Sequence, residues 1–320
     1  MSGNSSLVLC AGTVPDADFN SRVTAAKSAG FSAITLSPQH YLNARDREKL
    51  SAADMQRILG DHDITVVSID PLLDWFGQDA SSAELLMYEA AQAVAAPNIN
   101  VAPAFAPDIE QTQLVAALVR VCERAAAQGL SVDLEVLPWS TIPNYPALFE
   151  VLLAAQQNNA FATLDCLHLY RSGGTVAELR ELGRDTLKLI SNVQLCDISA
   201  QPQAFNWREK LAANKAMLAA GVDGARTMGF KSMLAVSGKA HNTRDDAAVL
   251  MKEATCSRLL PGQGDIPLQD ILQCLRELDC QPLMGLEISS LTMNKLSPKQ
   301  AAQKAMSAYR KILASDQASI

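Results

Sequence analysis

The sequence has no cluster of lysine and arginine residues and no long uninterrupted apolar run. Its 320 residues include 27 lysines and arginines against 34 aspartates and glutamates, which gives a net charge of −7. Nucleic acid is therefore not an expected partner, because phosphate contacts need clustered cations. A membrane-spanning helix is not predicted either, since it would need about 20 consecutive apolar residues.

Paired cysteines are also missing. The seven cysteines are an odd number and contain no Cys-x-x-Cys motif, which argues against a disulfide framework and against a thiolate zinc site. The first residues, Met-Ser-Gly-Asn-Ser-Ser, lack the basic flank and the apolar core of a secretory signal. The cytoplasm is therefore the expected compartment.

What the sequence does contain is an alternation of strand-like runs and helical patterns. Hydrophobic residues make up 48% of the chain and charged residues 19%, enough for a sizeable core. The strand-like runs recur about every 30 residues, the length of one strand–helix unit. Eight such units predict one (β/α)₈ barrel domain over residues 1–320. An open doubly wound sheet is disfavoured, because no Gly-x-Gly-x-x-Gly follows the first strand, Leu7–Cys10.

The alternation breaks after the seventh predicted strand. Residues 198–257 separate that strand from the last units, and a connection of this length calls for an explanation. A lid over the barrel mouth that sets substrate choice is the functional interpretation, and a contact within a homo-oligomer is the alternative. The candidate contact residues in this segment are Phe205, Trp207 and His241.

Four predicted strands carry a polar oxygen donor near the end of an otherwise apolar run. On strands five to eight these donors are Glu135, Asp165, Gln194 and Glu287. In a barrel, the C-terminal strand ends converge on one site, where neighbouring carboxylates would repel each other. One divalent cation removes this repulsion, and an all-oxygen set suits Mg²⁺ or Mn²⁺ better than Zn²⁺. The alternative is that each residue is an ordinary strand end facing water or a helix N-terminus.

Three further residues flank the predicted site. His168 follows Asp165 by three positions, where it would hydrogen-bond a substrate oxygen or transfer a proton, or else support Asp165. Asp197 would orient a ligand or cap a helix. Trp139 belongs to a loop on the same rim, where it would line a substrate pocket or pack beneath the loop.

Five short blocks around these residues resemble one protein family. The blocks are Leu134-Glu135, Asp165-x-x-His168, Val193-Gln-Leu-Cys-Asp197, Arg258-x-x-Pro-Gly-x-Gly-Asp265 and Gly285-Leu-Glu287. Together they resemble the xylose isomerase-like superfamily, which includes sugar phosphate isomerases and epimerases, hydroxypyruvate isomerase, and the inosose and 3-dehydroshikimate dehydratases. The resemblance implies that the four oxygen donors hold the metal. It also implies that Arg258 holds a substrate hydroxyl or carboxylate.

The resemblance narrows the expected chemistry. Many epimerases of the family have His at the position of Gln194, whereas hydroxypyruvate isomerase-like and dehydroshikimate dehydratase-like members have Gln. Four histidines are too few for the trinuclear zinc site of the endonuclease IV branch. The expected function is metal-dependent isomerisation or epimerisation of a small polyhydroxy or keto substrate by proton transfer beside a carbonyl, with Glu135, Glu287 and His168 as catalytic residues. A metal-dependent dehydratase and a non-catalytic sugar-binding barrel are the alternatives.

Overall fold

The computed structural model describes residues 7–103, 109–201 and 244–317. Within them, parallel strands pair in sequence order and the last pairs with the first, so the sheet closes into a barrel. The strands are β1 (Leu7–Leu9), β2 (Ala33–Leu36), β3 (Thr65–Leu72), β4 (Asn98–Val101), β5 (Ser131–Glu135), β6 (Ala160–Asp165), β7 (Ile190–Leu195) and β8 (Leu283–Leu286). The predicted TIM-barrel fold is confirmed.

Helices connect these strands. Those described are α1 (Phe19–Ala29), α2 (Pro38–Leu42), α3 (Ala52–Asp61), α4 (Ser82–Val94), α5 (Gln111–Ala126), α6 (Tyr145–Ala155), α7 (Cys166–Arg171), α8 (Val176–Leu187), α9 (Arg244–Cys256), α10 (Leu268–Glu277) and α11 (Pro298–Gln317). A π-helical turn, Asn43–Arg47, follows α2. None of the helices in the described ranges is both long and apolar enough to cross a membrane.

Local sequence signals set the ends of several helices. The Asp18 side chain accepts a hydrogen bond from the Ser21 backbone N–H at 2.8 Å and begins α1. Gly30 ends the same helix in the left-handed region, with φ of 95°, a conformation that glycine adopts without steric cost. Ser51 and Asp54 form a reciprocal capping box at the start of α3. The predicted starts of α1 and α3 therefore follow from hydrogen bonds that these side chains supply.

The barrel interior is polar towards the C-terminal strand ends. Asn100 on β4 donates hydrogen bonds to Asp70 on β3 and to Glu135 on β5, and Thr163 on β6 donates to Asn100. Gln194 on β7 reaches Asp70 from the opposite side of the barrel at 3.4 Å. All five residues are buried. Buried polar groups are costly unless they are hydrogen-bonded, so this network needs a reason beyond packing.

A second polar region lies at the N-terminal end of the barrel. Asp133 is two residues before Glu135 on β5 and is 4% exposed. It borders a cavity of about 210 Å³ together with residues such as Ser68, Asn98 and Ser191, and it accepts a hydrogen bond from the Ser191 hydroxyl at 2.6 Å. Burial raises the pKa of Asp133 to about 6, although hydrogen bonds from Ser191 and Asn98 oppose this shift.

Replacing Asp133 by asparagine should stabilise the protein at neutral pH. The pKa of about 6 in the folded state exceeds the roughly 3.9 of an unfolded chain, so ionisation costs stability as pH rises from 4 to 6. The variant removes that cost, which is roughly 2 to 3 kcal/mol above pH 6 at 1.4 kcal/mol per pKa unit. Urea unfolding at pH 4 and pH 7 measures it. An equal difference between variant and wild type at both pH values would contradict the assignment.

Two helical segments begin where the chain leaves a strand at the C-terminal end of the barrel. The Asp165 carboxylate accepts backbone N–H groups from Leu167 and His168 and caps α7, so this helix begins at Cys166, directly after β6. After β2 the chain forms α2 and then the π-helical turn.

The predicted lid falls mostly on residues 202–243, outside the described residues, and so do Phe205, Trp207 and His241. The described end of the segment is α9, which contains the predicted helix at 245–253. The Arg171 guanidinium on α7 donates to the Glu253 carboxylate on α9 at 2.6 and 2.7 Å, which anchors α9 beside the barrel. The lid and the single domain over 1–320 stay predictions.

Candidate metal centre

The four predicted oxygen donors meet at the C-terminal end of the barrel. Glu135 is the last residue of β5, Asp165 the last of β6 and Gln194 the second-last of β7, and Glu287 directly follows β8. The strand register places Asp165 beside Gln194 and Gln194 beside Gly285. Side chains two residues apart on a strand share a face, so Glu287 lies on the same interior face as Gly285. The expected convergence therefore follows from strand order and register.

The Gln194 side chain is central to this group. One end of its carboxamide lies 3.1 Å from Glu135 Oε1, 3.2 Å from Asp165 Oδ2 and 3.2 Å from Glu287 Oε2. With oxygen at that end, the nitrogen donates in the other direction, to Asp70 Oδ2 at 3.4 Å. An oxygen this close to three carboxylate oxygens is repelled by them unless a cation lies nearby. Without a cation, the reversed amide would be favoured, because its nitrogen would then donate to all three carboxylates.

This donor set fits a hard divalent cation. Adjacent oxygens around an octahedral ion with bonds of about 2.1 Å are about 3.0 Å apart, close to the 3.1 and 3.2 Å between the Gln194 amide and each carboxylate. Among the acidic, histidine and cysteine side chains of the described residues, the group whose ligand atoms all lie within 4.8 Å of one another is Glu135, Asp165 and His168. That group includes an imidazole nitrogen, a ligand that Zn²⁺ accepts readily.

Arg258 balances part of the negative charge. It is 4% exposed, and its Nη1 donates to Asp165 Oδ2 at 2.6 Å and lies 3.2 Å from Glu287 Oε2. Its Nε donates to the Ala254 carbonyl oxygen at 2.7 Å, which fixes the guanidinium. The structure thus brings Arg258 into the centre through two carboxylates, and its predicted contact with substrate stays a prediction.

The pKa values of the three carboxylates are shifted in different directions. Burial would raise the pKa of Asp165, but Arg258 and His168 outweigh it and hold that pKa below its usual value. Burial and the neighbouring carboxylates raise the pKa of Glu135 well above its usual range. Burial also raises the pKa of Glu287 to about 8, although Arg258 opposes this shift. Carboxylates held this close cannot all ionise without a further positive charge.

Divalent-cation affinity should therefore rise with pH. Because the pKa of Glu287 is about 8 without a cation, protein below pH 8 carries a proton that the cation must displace. For each displaced proton, affinity should increase about tenfold per pH unit from pH 6 towards 8. Calorimetric titration with Mn²⁺ in buffers of different ionisation enthalpy measures both the affinity and the proton release. A pH-independent affinity with no proton release would contradict this electrostatic picture.

His168 lies against the same carboxylates as a buried, neutral imidazole. Its Nε2 is 3.6 Å from Glu135 Oε1 and 3.8 Å from Asp165 Oδ2. Burial lowers the pKa of His168 to about 4 despite the nearby Asp165, with Arg258 acting in the same direction as burial. Within the described residues its Nδ1 has no hydrogen-bond partner. A substrate hydroxyl near Nδ1 would supply the missing partner.

Trp139 and Asp197 differ in their relation to the centre. The Trp139 ring meets the His168 ring edge to face at 5.4 Å, which places Trp139 beside the site. The Asp197 carboxylate instead accepts backbone N–H groups from Gly262 at 2.9 Å and Ile266 at 3.1 Å. Asp197 therefore holds the loop before α10 without capping that helix, whose N-cap is Pro267. Its role as a substrate contact stays a prediction.

Two members of the centre were not predicted from the sequence. Asp70 and Asn100 are buried and hydrogen-bonded to the predicted donors. Asp70 follows the apolar run Ile64–Ile69, and Asn100 stands inside Asn98–Ala102. The signal was the one that identified Glu135, a polar residue near the end of an apolar strand. Strand β3 continues past the apolar run to Leu72, which the run itself does not indicate, so Asp70 was not recognised as a strand-end donor.

Comparisons with known proteins agree on the fold. A family model described as a xylose isomerase-like TIM barrel matches residues 23–312. A comparison with curated protein sequences finds no significant match. Among solved structures, the IolI protein with a bound zinc atom superimposes with a TM-score of 0.68 at 16% identity, over 97% of this chain and 98% of that one.

Two further similar solved structures are those of named enzymes. The probable 3-DHS dehydratase AsbF, involved in petrobactin synthesis, from Bacillus anthracis has a TM-score of 0.63 at 18% identity, over 95% of this chain and 98% of that one. D-psicose 3-epimerase with D-tagatose from Clostridium cellulolyticum H10 has a TM-score of 0.61 at 11% identity, over 96% of this chain and 98% of that one. At these identities the similarity shows the shared fold.

Proposed function

The chain belongs to the xylose isomerase-like TIM barrel family, and on this premise we propose that it is a divalent-metal-dependent isomerase or epimerase of a small polyhydroxy carbonyl compound. The observation that carries the proposal is the convergence of three carboxylate oxygens on one end of the Gln194 carboxamide, at 3.1 and 3.2 Å. The D-psicose 3-epimerase with a similar barrel supports the reaction class. The zinc in the similar IolI structure supports a metal.

Glu135, Asp165, Gln194 and Glu287 would hold the cation. When bound, Mg²⁺ or Mn²⁺ supplies Lewis-acid polarisation of a substrate carbonyl oxygen, which makes the neighbouring C–H more acidic. The alternative group with His168 would favour Zn²⁺ instead. We favour the all-oxygen set, because the Gln194 amide lies 3.1 to 3.2 Å from three carboxylates, whereas His168 Nε2 lies 3.6 and 3.8 Å from two.

Glu287 is the better candidate for the general base. Both oxygens of Glu135 are held in place, since Oε1 faces Gln194 at 3.1 Å and Oε2 accepts from Asn100 at 2.6 Å. Glu287 meets Arg258 and Gln194 through Oε2. The Glu287 side chain is 13% exposed and the Glu135 side chain 8%, so Glu287 is the more accessible of the two to a substrate.

This asymmetry bears on the reaction. One base that removes a proton from a carbon beside the carbonyl and returns it to the neighbouring carbon gives isomerisation. Epimerisation by inversion needs a second acid that returns a proton to the opposite face of the substrate carbon. Glu135 is poorly placed for this role, because its Oε2 accepts a hydrogen bond from Asn100. Neutral His168, with Nδ1 unpartnered in the described part of the chain, would donate to or accept from a substrate hydroxyl. Isomerisation is therefore the first expectation.

Dehydration is the second candidate function. It begins with the same proton removal, followed by loss of a β-hydroxyl instead of proton return. The AsbF dehydratase has a similar barrel, which supports this reaction class. The two outcomes differ in their product, since dehydration releases water and leaves a conjugated carbonyl compound.

Solvent-exchange spectroscopy tests the proposal. Protein loaded with Mg²⁺ would be incubated in D₂O with ketoses, inososes and 3-dehydroshikimate, and the carbon positions followed by NMR. We expect deuterium to enter beside the carbonyl of at least one compound, with isomer formation if the first candidate is correct and loss of water if the second is. Metal-loaded protein that exchanges no proton of any compound would contradict the enzyme proposal and favour a sugar-binding barrel.

A further inference from the structure

A glutamine ligand such as Gln194 must present its oxygen, and not its nitrogen, to a cation, a requirement that a carboxylate ligand does not have. The two ends of a carboxamide are nearly equal in size, but one accepts hydrogen bonds and the other donates them. The Gln194 nitrogen turned inward would donate to Glu135, Asp165 and Glu287 at 3.1 to 3.2 Å. That arrangement satisfies the carboxylates and presents no oxygen to a cation. A cation site built on Gln194 therefore needs a group that holds the oxygen inward.

Asp70 is placed to do this. It lies on β3, across the barrel from β7, and is 8% exposed. Its Oδ2 accepts from Gln194 Nε2 at 3.4 Å. A carboxylate accepts hydrogen bonds and does not donate them, so it attracts the nitrogen end of the amide and repels the oxygen end. With the nitrogen turned to Asp70, the oxygen must face the other three carboxylates.

A second amide depends on the same carboxylate. Asn100 Nδ2 has two hydrogens, and it donates to Asp70 Oδ1 at 2.8 Å and to Glu135 Oε2 at 2.6 Å. Asn100 Oδ1 accepts from the Thr163 hydroxyl at 3.0 Å. Asp70 therefore uses one oxygen for each amide. Through Asn100 it also fixes Glu135, so that Glu135 Oε1 faces the cation site.

We infer that Asp70 is a positioning residue that turns the Gln194 oxygen, and through Asn100 the Glu135 oxygen, towards the divalent cation. This inference rests on the proposed metal site. In this role Asp70 would contact neither the substrate nor the cation. It would ensure that Gln194, whose amide can present either oxygen or nitrogen, presents oxygen to the cation.

The test is a double-mutant cycle on Mn²⁺ affinity, with Asp70→Asn combined with Gln194→Glu. An asparagine at position 70 has one oxygen for two amide donors, so one of Gln194 and Asn100 loses its orientation. Asp70→Asn alone should weaken Mn²⁺ binding by about 10- to 100-fold, the usual effect of removing a group that orients a ligand. In the Gln194→Glu background the ligand presents oxygen in either orientation. There, Asp70→Asn should weaken Mn²⁺ binding by a much smaller factor than in the wild-type background, because only the attraction of a neighbouring negative charge is lost.

The outcomes separate this inference from the metal site itself. If wild-type protein binds no Mn²⁺, the proposed metal site is wrong. If wild type binds and Asp70→Asn binds equally well, the positioning role is wrong. If Asp70→Asn weakens binding by the same factor in both backgrounds, the effects are additive, and Asp70 acts as a ligand or as a charge instead. Urea unfolding of the metal-free variants serves as the control, since a purely structural role would change stability without the dependence on residue 194.

Discussion

Replacing Asp165 by asparagine should reduce Mn²⁺ affinity by more than about 100-fold, beyond the 10- to 100-fold typical of groups that only orient a ligand. The reason is that Asp165 Oδ2 belongs to the four-oxygen cluster, and the pKa of Asp165, held below its usual value by Arg258 against the effect of burial, makes it the carboxylate most readily ionised. Asparagine is preferred to alanine, because Asp165 Oδ1 caps α7 through the Leu167 and His168 backbone N–H groups.

Asp133→Asn is the matched control for this substitution. Asp133 is also a buried strand carboxylate, but it borders the cavity at the opposite end of the barrel. The Asp133→Asn variant should bind Mn²⁺ with the affinity of the wild type, whereas the Asp165→Asn variant should bind it more weakly. Titration of both variants, with circular dichroism to establish the fold, measures the contrast. Equal Mn²⁺ affinity of Asp165→Asn and wild type would remove Asp165 from the ligand set.

Replacing Glu287 by glutamine should lower turnover by roughly 10²- to 10⁴-fold at saturating metal, the usual contribution of a general base. The variant keeps one oxygen for the cation, so its metal affinity should fall much less than its turnover. The Glu287 side chain is 13% exposed, whereas the Glu135 side chain is 8% exposed and its Oε2 accepts from Asn100. Glu135→Gln is therefore the comparison, with a loss of metal affinity but less than a roughly tenfold loss of turnover once metal is saturating.

Steady-state kinetics at several metal concentrations separate these two effects. A Glu287→Gln variant that retains wild-type turnover would assign the proton transfer to another residue, with His168 next to be tested. Equal losses of metal-saturated turnover in both glutamate variants would contradict the asymmetry and restore a two-base epimerisation.

The barrel and the ligand strands could be predicted because they depend on local patterns. Strand–helix units and the caps at Asp18 and Ser51 are short-range features, and the strand order of a barrel follows the order of the chain. Once that order is known, polar residues at the ends of consecutive strands must converge. The positions of Glu135, Asp165, Gln194 and Glu287 relative to one another followed from this reasoning.

Contacts across the barrel could not be predicted in the same way. The pairing of Asp70 with Gln194 joins residues 124 positions apart on opposite strands, and no local pattern encodes which end of an amide faces a carboxylate. Asp197 illustrates the same limit, because a carboxylate after β7 serves a ligand or a loop depending on where Gly262 and Ile266 place their N–H groups.

Anomalous diffraction from crystals soaked in Mn²⁺ would locate the cation independently of activity. We expect one strong peak in contact with the side-chain oxygens of Glu135, Asp165, Gln194 and Glu287, with the Gln194 nitrogen facing Asp70. A peak held by Glu135, Asp165 and His168 without Gln194, or no peak at the C-terminal end of the barrel, would contradict the proposed metal site.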